Sequence, residues 1–399
     1  MRDPLEDVLA TYQWDDQQGT SILESSWLWY LQSDVIRKSG IKLHISSGLD
    51  QAPLAARILS DFCREEGVAY KISPNLSFLE SLNMGFFGQT QVGKFATIYP
   101  VSDLSVVSLV KDLKIELRSI RGPTPPSDFG VEGSECISYR VGEFSQPTIL
   151  GGRRPAAPVP EGYLDPLRDM RKTHAGQSLA THGYRILKAL AYRGRGGTFL
   201  GIRLANAAGR GQLVILKEAK KWGERDSNGM DSQQRLLREC QTEQLLEDVI
   251  GVRTLERLYL GDSLIVVKNF FEGFQDLTKH ELFSELSIEN VRLAFSNLLQ
   301  RLHAFDLVLN DISPGNVLMN DEGEIRIIDF EQASPVGVRP SAVTAPFSPN
   351  QDRNPAQLWH DWDALDKLIQ WMKLSKSERH QGLTVRDVLN TKVKAVNGG

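Results

Sequence analysis

The feature that most constrains the fold of this chain is the segment LNDISPGNVLMNDEGEIRIIDFE at residues 309–331. Asp311 and Asn316 stand five positions apart, and Asp329 follows thirteen positions after Asn316. Between Asn316 and Asp329, two short apolar runs flank the polar turn at 320–323, a pattern that predicts a β-hairpin. When this hairpin folds back on itself, it brings two carboxylates and one carboxamide to the same place.

These three side chains have the chemistry that phosphoryl transfer requires. Such a reaction needs a carboxylate at the acceptor hydroxyl and oxygen ligands that hold magnesium on the transferred phosphates. We therefore expect Asp311 to be the acceptor-side base. We expect Asn316 and Asp329 to be the ligands of Mg²⁺, with ATP or GTP as the phosphate donor.

Upstream residues complete the pattern of a protein kinase. The strand at 214–217 ends in Lys217, which we expect to bind the nucleotide phosphates. A charged helix is predicted from about Asp231 to Val249, and Glu239 within it is the expected ion-pair partner of Lys217. Gly196 and Gly197 fall at the nucleotide loop. Each fragment is common alone, so chance coincidence is the alternative, but four elements in the right order favour a kinase fold.

Three departures narrow this interpretation. Leu309 and Asn310 occupy the positions of the histidine and arginine that usually precede the catalytic aspartate, Phe199 breaks the strict glycine pattern, and only Ala-Pro-Phe stands at 345–347. Without that arginine, a phosphate on the activation loop has no expected partner. The sequence therefore predicts a compact, atypical kinase that loop phosphorylation does not switch.

The N-terminal part alternates strand and helix patterns. Ile41, Leu43 and Ile45 alternate with polar residues, as in a strand with one polar face. An apolar helix face of Leu54, Ile58 and Phe62 follows, and Gly67 is expected to end this helix. The segment 68–72 resumes a strand, so residues 41–73 predict a β-α-β unit.

Composition excludes several classes of function. The chain has 399 residues and a net charge of −4, which argues against a general nucleic-acid binder. No run approaches ~18 apolar residues, so no membrane span is expected, and the acidic N-terminus predicts a cytoplasmic protein. The three cysteines are far apart and are expected to be free, partly buried thiols.

Motifs from both halves resemble the class III and IV lanthionine synthetases, which modify ribosomally made peptides. The C-terminal half carries GGTF (196–199), LKEAK (216–220), DISPGNVL (311–318) and IDFE (328–331). The N-terminal half carries GIKLHIS (40–46), GVAYKIS (67–73), VGKFATIYP (92–100), RGP (121–123) and YRVGEF (139–144).

This resemblance implies that the N-terminal domain is similar to phosphothreonine lyases, which eliminate phosphate from phospho-Ser or phospho-Thr. It implies that His44 protonates the leaving phosphate and that Lys71, on the adjacent strand of the β-α-β unit, removes the Cα proton. It further implies that Lys42, Arg140 and Lys94 bind the phosphate.

The expected fold is therefore α+β: a phosphothreonine-lyase-like α/β domain at 1–150, a Gly- and Pro-rich linker at 151–182, and a bilobal kinase-like domain at 183–399. The expected function is dehydration of Ser and Thr in a precursor peptide. A kinase whose N-terminal domain only docks the substrate is one alternative, and a non-enzymatic scaffold is another. The family's cyclase domain does not follow in this sequence, so we expect either a truncation or a separate cyclase.

Overall fold

The computed structural model describes most of the chain between residues 20 and 380. The described residues are 20–24, 27–31, 39–83, 87, 89–126, 128–143, 163–172, 178–193, 196–204, 211–224, 229–340, 343–344 and 346–380. The expected linker therefore lies largely outside the described residues, as do Ser127, Gly194, Arg195 and Ala345.

The N-terminal half is built on a seven-stranded sheet with helices against one face. In chain order its elements are β1 (Thr20–Glu24), β2 (Trp27–Leu31), β3 (Ser39–Ile45), α1 (Ala52–Glu65), β4 (Ala69–Ile72), α2 (Leu76–Asn83), β5 (Ala96–Tyr99), α3 (Val106–Glu116), β6 (Phe129–Gly130) and β7 (Ile137–Glu143). The strand order is β1-β2-β4-β5-β3-β7-β6, and every neighbouring pair is antiparallel. The apolar side chains of β3, β4 and β5 join those of α1 and α3 in one core.

The predicted β-α-β unit is present, but its two strands are not neighbours. β5, which comes later in the chain, lies between β3 and β4 and is antiparallel to both. The expectation that Lys71 lies on the strand adjacent to His44 is therefore wrong. Local sequence patterns define strands, whereas pairing order depends on segments distant along the chain.

The predicted apolar face of α1 is also shifted. Ala55, Leu59 and Cys63 are buried against the sheet, whereas Leu54 is 39% exposed. Gly67 follows the helix with a φ of 65°, which agrees with the predicted stop.

The C-terminal half begins with a five-stranded antiparallel sheet. Its elements are β8 (Tyr184–Arg193), β9 (Gly196–Arg203), β10 (Gln212–Lys220), α4 (Ser232–Leu245), α5 (Glu247–Ile250), β11 (Thr254–Leu260) and β12 (Ser263–Asn269). The strand order is β11-β12-β10-β9-β8. α4 packs on this sheet through Leu236 and Cys240, which contact the buried side chains of Ala219 and Val266. The long helix predicted from Asp231 is divided in two, because it stops at Leu245 and resumes at Glu247.

The last part is mainly helical and carries the predicted hairpin. Its elements are β13 (Gln275–Asp276), α6 (Glu285–His303), β14 (Leu307–Val308), β15 (Val317–Met319), β16 (Ile325–Ile327), β17 (Ser334–Pro335), α7 (Leu358–Met372) and α8 (Lys376–His380). β15 pairs with β16 in the expected antiparallel register. The hairpin packs against α6 and α7 in one apolar core, which includes the fully buried Phe330. No helix among the described residues is long and apolar enough to cross a membrane.

Candidate active sites

A cleft between the five-stranded sheet and the helical part gathers all the predicted kinase residues. Its cavity has a volume of 410 Å³. The predicted residues that line it are Gly196, Gly197, Lys217, Glu239, Asp311, Asn316 and Asp329. Residues separated by more than a hundred positions therefore share one site.

Lys217 stands at the centre of an ion-pair network. Its Nζ lies 2.6 Å from Glu239 Oε2, as predicted, and 2.9 Å from Asp329 Oδ1. Burial alone would lower the pKa of Lys217, but these two carboxylates raise it above its ordinary value. Lys217 therefore stays charged, as a residue that binds nucleotide phosphates must.

A second buried lysine, which the sequence did not reveal, supports Glu239 from the other side. Lys268 on β12 pairs with Glu239 Oε1 at 2.5 Å and with Glu243 Oε1 at 2.7 Å. Burial would raise the pKa of Glu239, but Lys217 and Lys268 lower it. Glu239 is thus held as a carboxylate between two ammonium groups.

Asp311 has the surroundings of a proton acceptor. Burial raises its pKa above the ordinary value for an aspartate. Asn316 Nδ2 donates to Asp311 Oδ2 at 3.0 Å, and the hydroxyl of Thr344 donates to Asp311 Oδ1. This contact shows that the carboxylate can hold a threonine hydroxyl, the group a Ser/Thr kinase would phosphorylate.

The residues that replace the usual His-Arg pair have structural partners. Asp361 on α7 accepts hydrogen bonds from the backbone N–H groups of Leu309, at 2.7 Å, and Asn310, at 3.0 Å. The Asn310 side chain donates to Gln332 O and Ser334 Oγ, just beyond the Asp-Phe-Glu segment. Asn310 thus fixes this segment with neutral hydrogen bonds, where an arginine would offer a charge to a phosphate.

Glu331 occupies the position where kinases usually carry glycine, and it is bound to α4. Arg235 Nε lies 3.0 Å from Glu331 Oε1, and both side chains are buried. Arg238 Nη2 donates to the backbone carbonyl of Glu331 at 3.2 Å. The segment 329–331 is therefore held at two points. Side chains of α4 bind Glu331 directly, and Lys217, the partner of Glu239 on α4, binds Asp329.

Gly196 is required by a close approach of two strands. A Cβ atom on Gly196 would lie 2.1 Å from Glu218 O on β10, and the φ of Gly196 is 138°. A Cβ on Gly197 would meet the rings of Tyr192 and Phe199. Both glycines thus let the hairpin of β8 and β9 close over the cavity.

The oxygen donors in this cleft fit magnesium. Asp329 and Asn316 line the same cavity, and ligand atoms of Glu239, Asp329 and Glu331 lie within 4.8 Å of one another. Carboxylate and carboxamide oxygens are the protein ligands that Mg²⁺ prefers. Asn316 donates to Asp311 through its nitrogen, so its side-chain oxygen is the atom that can ligate a cation.

The second candidate site lies on the face of the N-terminal sheet opposite the helices. Thr97 on β5 is paired with His44 on one side and with Lys71 on the other. Directly opposed residues of antiparallel strands point to the same face, so His44 and Lys71 share a face at two strand spacings, about 10 Å. Lys42, two residues before His44 on β3, is paired with Arg140 in the same way.

His44 is buried and bound to a carboxylate that the sequence did not assign to it. Its Nδ1 contacts Asp128 Oδ2, and the exposed fraction of the Asp128 side chain is 0%. Burial lowers the pKa of His44 to about 4, although Asp128 acts in the opposite direction. With Asp128 ionised, Nδ1 carries the proton, and Nε2 is the nitrogen that can exchange one with a substrate.

Lys94 is a buried lysine just before β5. It is 3% exposed, and burial lowers its pKa to about 8, with Arg140 and Lys42 acting in the same direction. Buried charge is costly unless it is paired. A bound dianion would therefore stabilise the charged forms of Lys94, Arg140 and Lys42.

Arg140 gives a direct sign of a missing partner. Its Nε is buried and has no hydrogen-bond partner among the described residues. Buried donors are nearly always satisfied in native proteins, so an unsatisfied one at a cluster of cations points to an anionic ligand.

Lys71 has a different neighbour: its Nζ lies 4.3 Å from the centre of the Trp27 ring.

Sequence reasoning missed Asp128, Thr97, Lys268 and Arg235. Asp128 lies in the N-terminal site because its loop contacts His44, 84 positions away, and Thr97 lies there because the strand register pairs it with His44. A polar residue at a buried alternation point, such as Thr97, was the available signal. For Lys268, the signal was a lysine that ends an apolar strand.

Two known families match the two halves. Residues 11–173 match the family described as "RamC, N-terminal domain", and residues 194–349 match the protein kinase domain. These ranges fall on the two sheets that carry the candidate sites.

Individual relatives agree with this division. Over 349 residues the chain is 25% identical to the probable SapB synthase of Streptomyces coelicolor, an alignment that covers 77% of this chain and 37% of that protein. Over 152 residues it is 27% identical to human ribosomal protein S6 kinase alpha-2, covering 37% of this chain and 20% of the kinase. Over 161 residues it is 27% identical to human serine/threonine-protein kinase PAK 4, covering 39% of this chain and 26% of the kinase.

The chain thus spans little more than a third of the length of SapB synthase. These matches confirm the resemblance found in the sequence: a RamC-type N-terminal domain is followed by a protein kinase domain, which is the lyase-and-kinase arrangement of the class III and IV lanthionine synthetases.

Proposed function

We propose that this chain is a bifunctional peptide dehydratase of lanthipeptide-type biosynthesis. One domain, about 183–399, phosphorylates Ser or Thr of a ribosomally made precursor peptide in the cytoplasm. The other, about 1–150, eliminates the phosphate to leave dehydroalanine or dehydrobutyrine. A cyclase activity would then join cysteine thiols to these residues. The observation that carries the proposal is the cluster of cations around the buried Lys94, with the unpartnered Nε of Arg140, on a chain that also holds a complete kinase cleft.

In the kinase step, Asp311 accepts the proton of the peptide hydroxyl as its oxygen attacks the γ-phosphorus of ATP or GTP. Its raised pKa suits a group that must take up a proton. Lys217, fixed by Glu239, binds the nucleotide phosphates, and Gly196 and Gly197 close the hairpin above them. Asn316 and Asp329 would hold Mg²⁺, which neutralises phosphate charge.

In the elimination step, Lys42, Lys94 and Arg140 bind the phosphate dianion. Its charge would raise the pKa of His44, so that Nε2 can deliver a proton to the leaving phosphate oxygen. Lys71, across Thr97 on the same face, takes the Cα proton as the carbon–oxygen bond breaks. A substrate that lies along the sheet would place its Cα and its phosphate toward these two strands.

One experiment separates this proposal from its rivals: the mass of a Ser/Thr-containing precursor peptide after incubation with the protein, ATP and Mg²⁺. Loss of one water per site is the expected result. Gain of a phosphoryl group without loss of water would favour a kinase with a docking domain, and an unchanged peptide would favour a scaffold. GTP in place of ATP tests the choice of nucleotide.

A further inference from the structure

Polar contacts at Glu135 and at Asp262 join the N-terminal half to the strand ends of the kinase sheet. Glu135 Oε2 accepts a hydrogen bond from the indole Nε1 of Trp222 at 2.8 Å and pairs with Lys221 Nζ at 3.0 Å. Lys172 Nζ lies 2.9 Å from Asp262 Oδ1, in the turn between β11 and β12. Both contacts lie beside the beginning of α4, the helix that carries Glu239.

Glu135 is held by both a hydrogen bond and an ion pair. Its side chain is 30% exposed, so its charge is partly shielded from water. Burial alone would raise the pKa of Glu135, but the hydrogen bonds from Trp222 and Lys221 lower it below the ordinary value. The carboxylate is therefore held in its charged form by groups of the kinase half.

Trp222 connects this carboxylate to α4. Its φ is 59°, a left-handed conformation that is unfavourable for a bulky side chain. Its backbone N–H donates to Asp231 Oδ2 at 2.9 Å, while its indole is held by Glu135. Contacts at both ends thus keep the residue in this strained conformation.

Asp231 is the N-cap of α4. Its other carboxylate oxygen accepts a hydrogen bond from the Gln234 backbone N–H at 2.9 Å. The Asp231 backbone N–H in turn donates to Gln234 Oε1 at 2.8 Å, which completes a capping box. Two turns later α4 presents Glu239 to Lys217. Hydrogen bonds and one short helix therefore connect Glu135 to the catalytic ion pair.

We propose that Glu135 is a positioning residue for the kinase reaction, supplied by the N-terminal half: through Trp222 and Asp231 it fixes the start of α4 and so the Lys217–Glu239 pair. This inference rests on the proposed function. It adds that the kinase reaches its full rate only when the lyase domain is docked, whereas elimination does not depend on this contact.

The test compares Glu135→Ala with Glu132→Ala in the full chain. Glu132 is an exposed carboxylate three positions away on the same loop, so it controls for loss of charge. We expect Glu135→Ala to lower kcat for peptide phosphorylation by about two- to thirty-fold. We also expect faster hydrogen exchange in the first turn of α4, and unchanged elimination from a synthetic phosphopeptide. Glu135→Gln, which keeps an acceptor for the indole, should recover part of the loss.

Trp222→Phe makes the test independent of the lyase fold, because it removes the indole N–H from the kinase side and keeps an aromatic ring there. It should reproduce the loss, and the double variant with Glu135→Ala should be no slower than either single variant. Wild-type phosphorylation in either single variant, or additive losses in the double, would overturn the inference. A wild-type protein that does not phosphorylate peptide would instead refute the proposed function itself.

Discussion

At the scale of single residues, burial sets the chemistry of the N-terminal site. His44 and Lys94 are ordinary titratable groups in the sequence, yet burial lowers their pKa values to about 4 and about 8. His44 is therefore neutral at pH 7, whereas Lys94 still carries its charge there and loses it above about pH 8. The free site is neutral at His44, and a phosphate dianion supplies the field that would charge it.

Lys71→Ala and His44→Ala should each stop elimination but not phosphorylation. Loss of a general acid or base lowers the rate by about 10²–10⁴-fold, so phosphopeptide should accumulate. Peptide mass after incubation with nucleotide and Mg²⁺ measures this, and Lys111→Ala, which removes an exposed lysine of α3, is the control. Fully dehydrated peptide from Lys71→Ala, with phosphopeptide from Lys94→Met, would transfer the role of base to Lys94.

Anion affinity of the N-terminal site should fall as pH rises above about 8. The depressed pKa of Lys94 means that it is uncharged above that pH and must take up a proton when a dianion binds. Affinity then falls by about tenfold per pH unit. Calorimetry with sulfate, whose charge stays constant over this range, measures the change. Lys94→Met should bind weakly at pH 7 and show no step near pH 8; a step that persists would assign it to another group.

At the scale of elements, α4 organises the kinase cleft. It supplies Glu239 to Lys217, Glu243 to Lys268, and Arg235 to Glu331. Lys217 and the segment that contains Asp329 are thus held by one helix, through contacts that need no phosphate group. This arrangement agrees with the absence of the usual arginine before Asp311.

Glu239→Gln should destabilise this half by about 3–5 kcal/mol, because it leaves the buried Lys217 and Lys268 without a full countercharge. Phosphorylation should be lost with it. Glu247→Gln is the matched control: its pair with Arg253, at 2.8 Å, is exposed, and its loss should cost about 1 kcal/mol or less. Urea unfolding of the two variants measures the difference. Equal stabilities would show that the buried network contributes nothing.

At the scale of the whole molecule, two candidate active sites share one chain, and contacts at Glu135 and Asp262 hold the two halves together. The His44–Asp128 pair and the Asp311–Asn316 pair belong to different sheets and cores. The reactions should therefore be separable by changes in the active sites, although docking affects one of them.

Asp311→Asn should block phosphorylation and leave elimination from a synthetic phosphopeptide unchanged. The amide cannot accept the hydroxyl proton, but it preserves the shape of the side chain. Assays of both half-reactions on the same protein preparation check this. Loss of elimination in this variant would mean that the two catalytic cycles depend on each other.

The sequence by itself determined the set of kinase residues, because each of them lies on a strand, helix or hairpin that a short sequence pattern predicts. The spacing of Asp311, Asn316 and Asp329 around one hairpin already placed them together. Alternation along β3 likewise put Lys42 and His44 on one polar face, and the predicted resemblance was confirmed by matches to a RamC-type N-terminal domain and a protein kinase domain.

Only the tertiary structure decided which residues meet across the sheet and what burial does to them. β5 lies between β3 and β4, so Thr97 separates His44 from Lys71, and Asp128 reaches His44 from a distant loop. Strand order and desolvation arise from long-range packing, which no short pattern encodes. For the same physical reason, the path from Glu135 to α4 became visible only once the two halves were seen in contact.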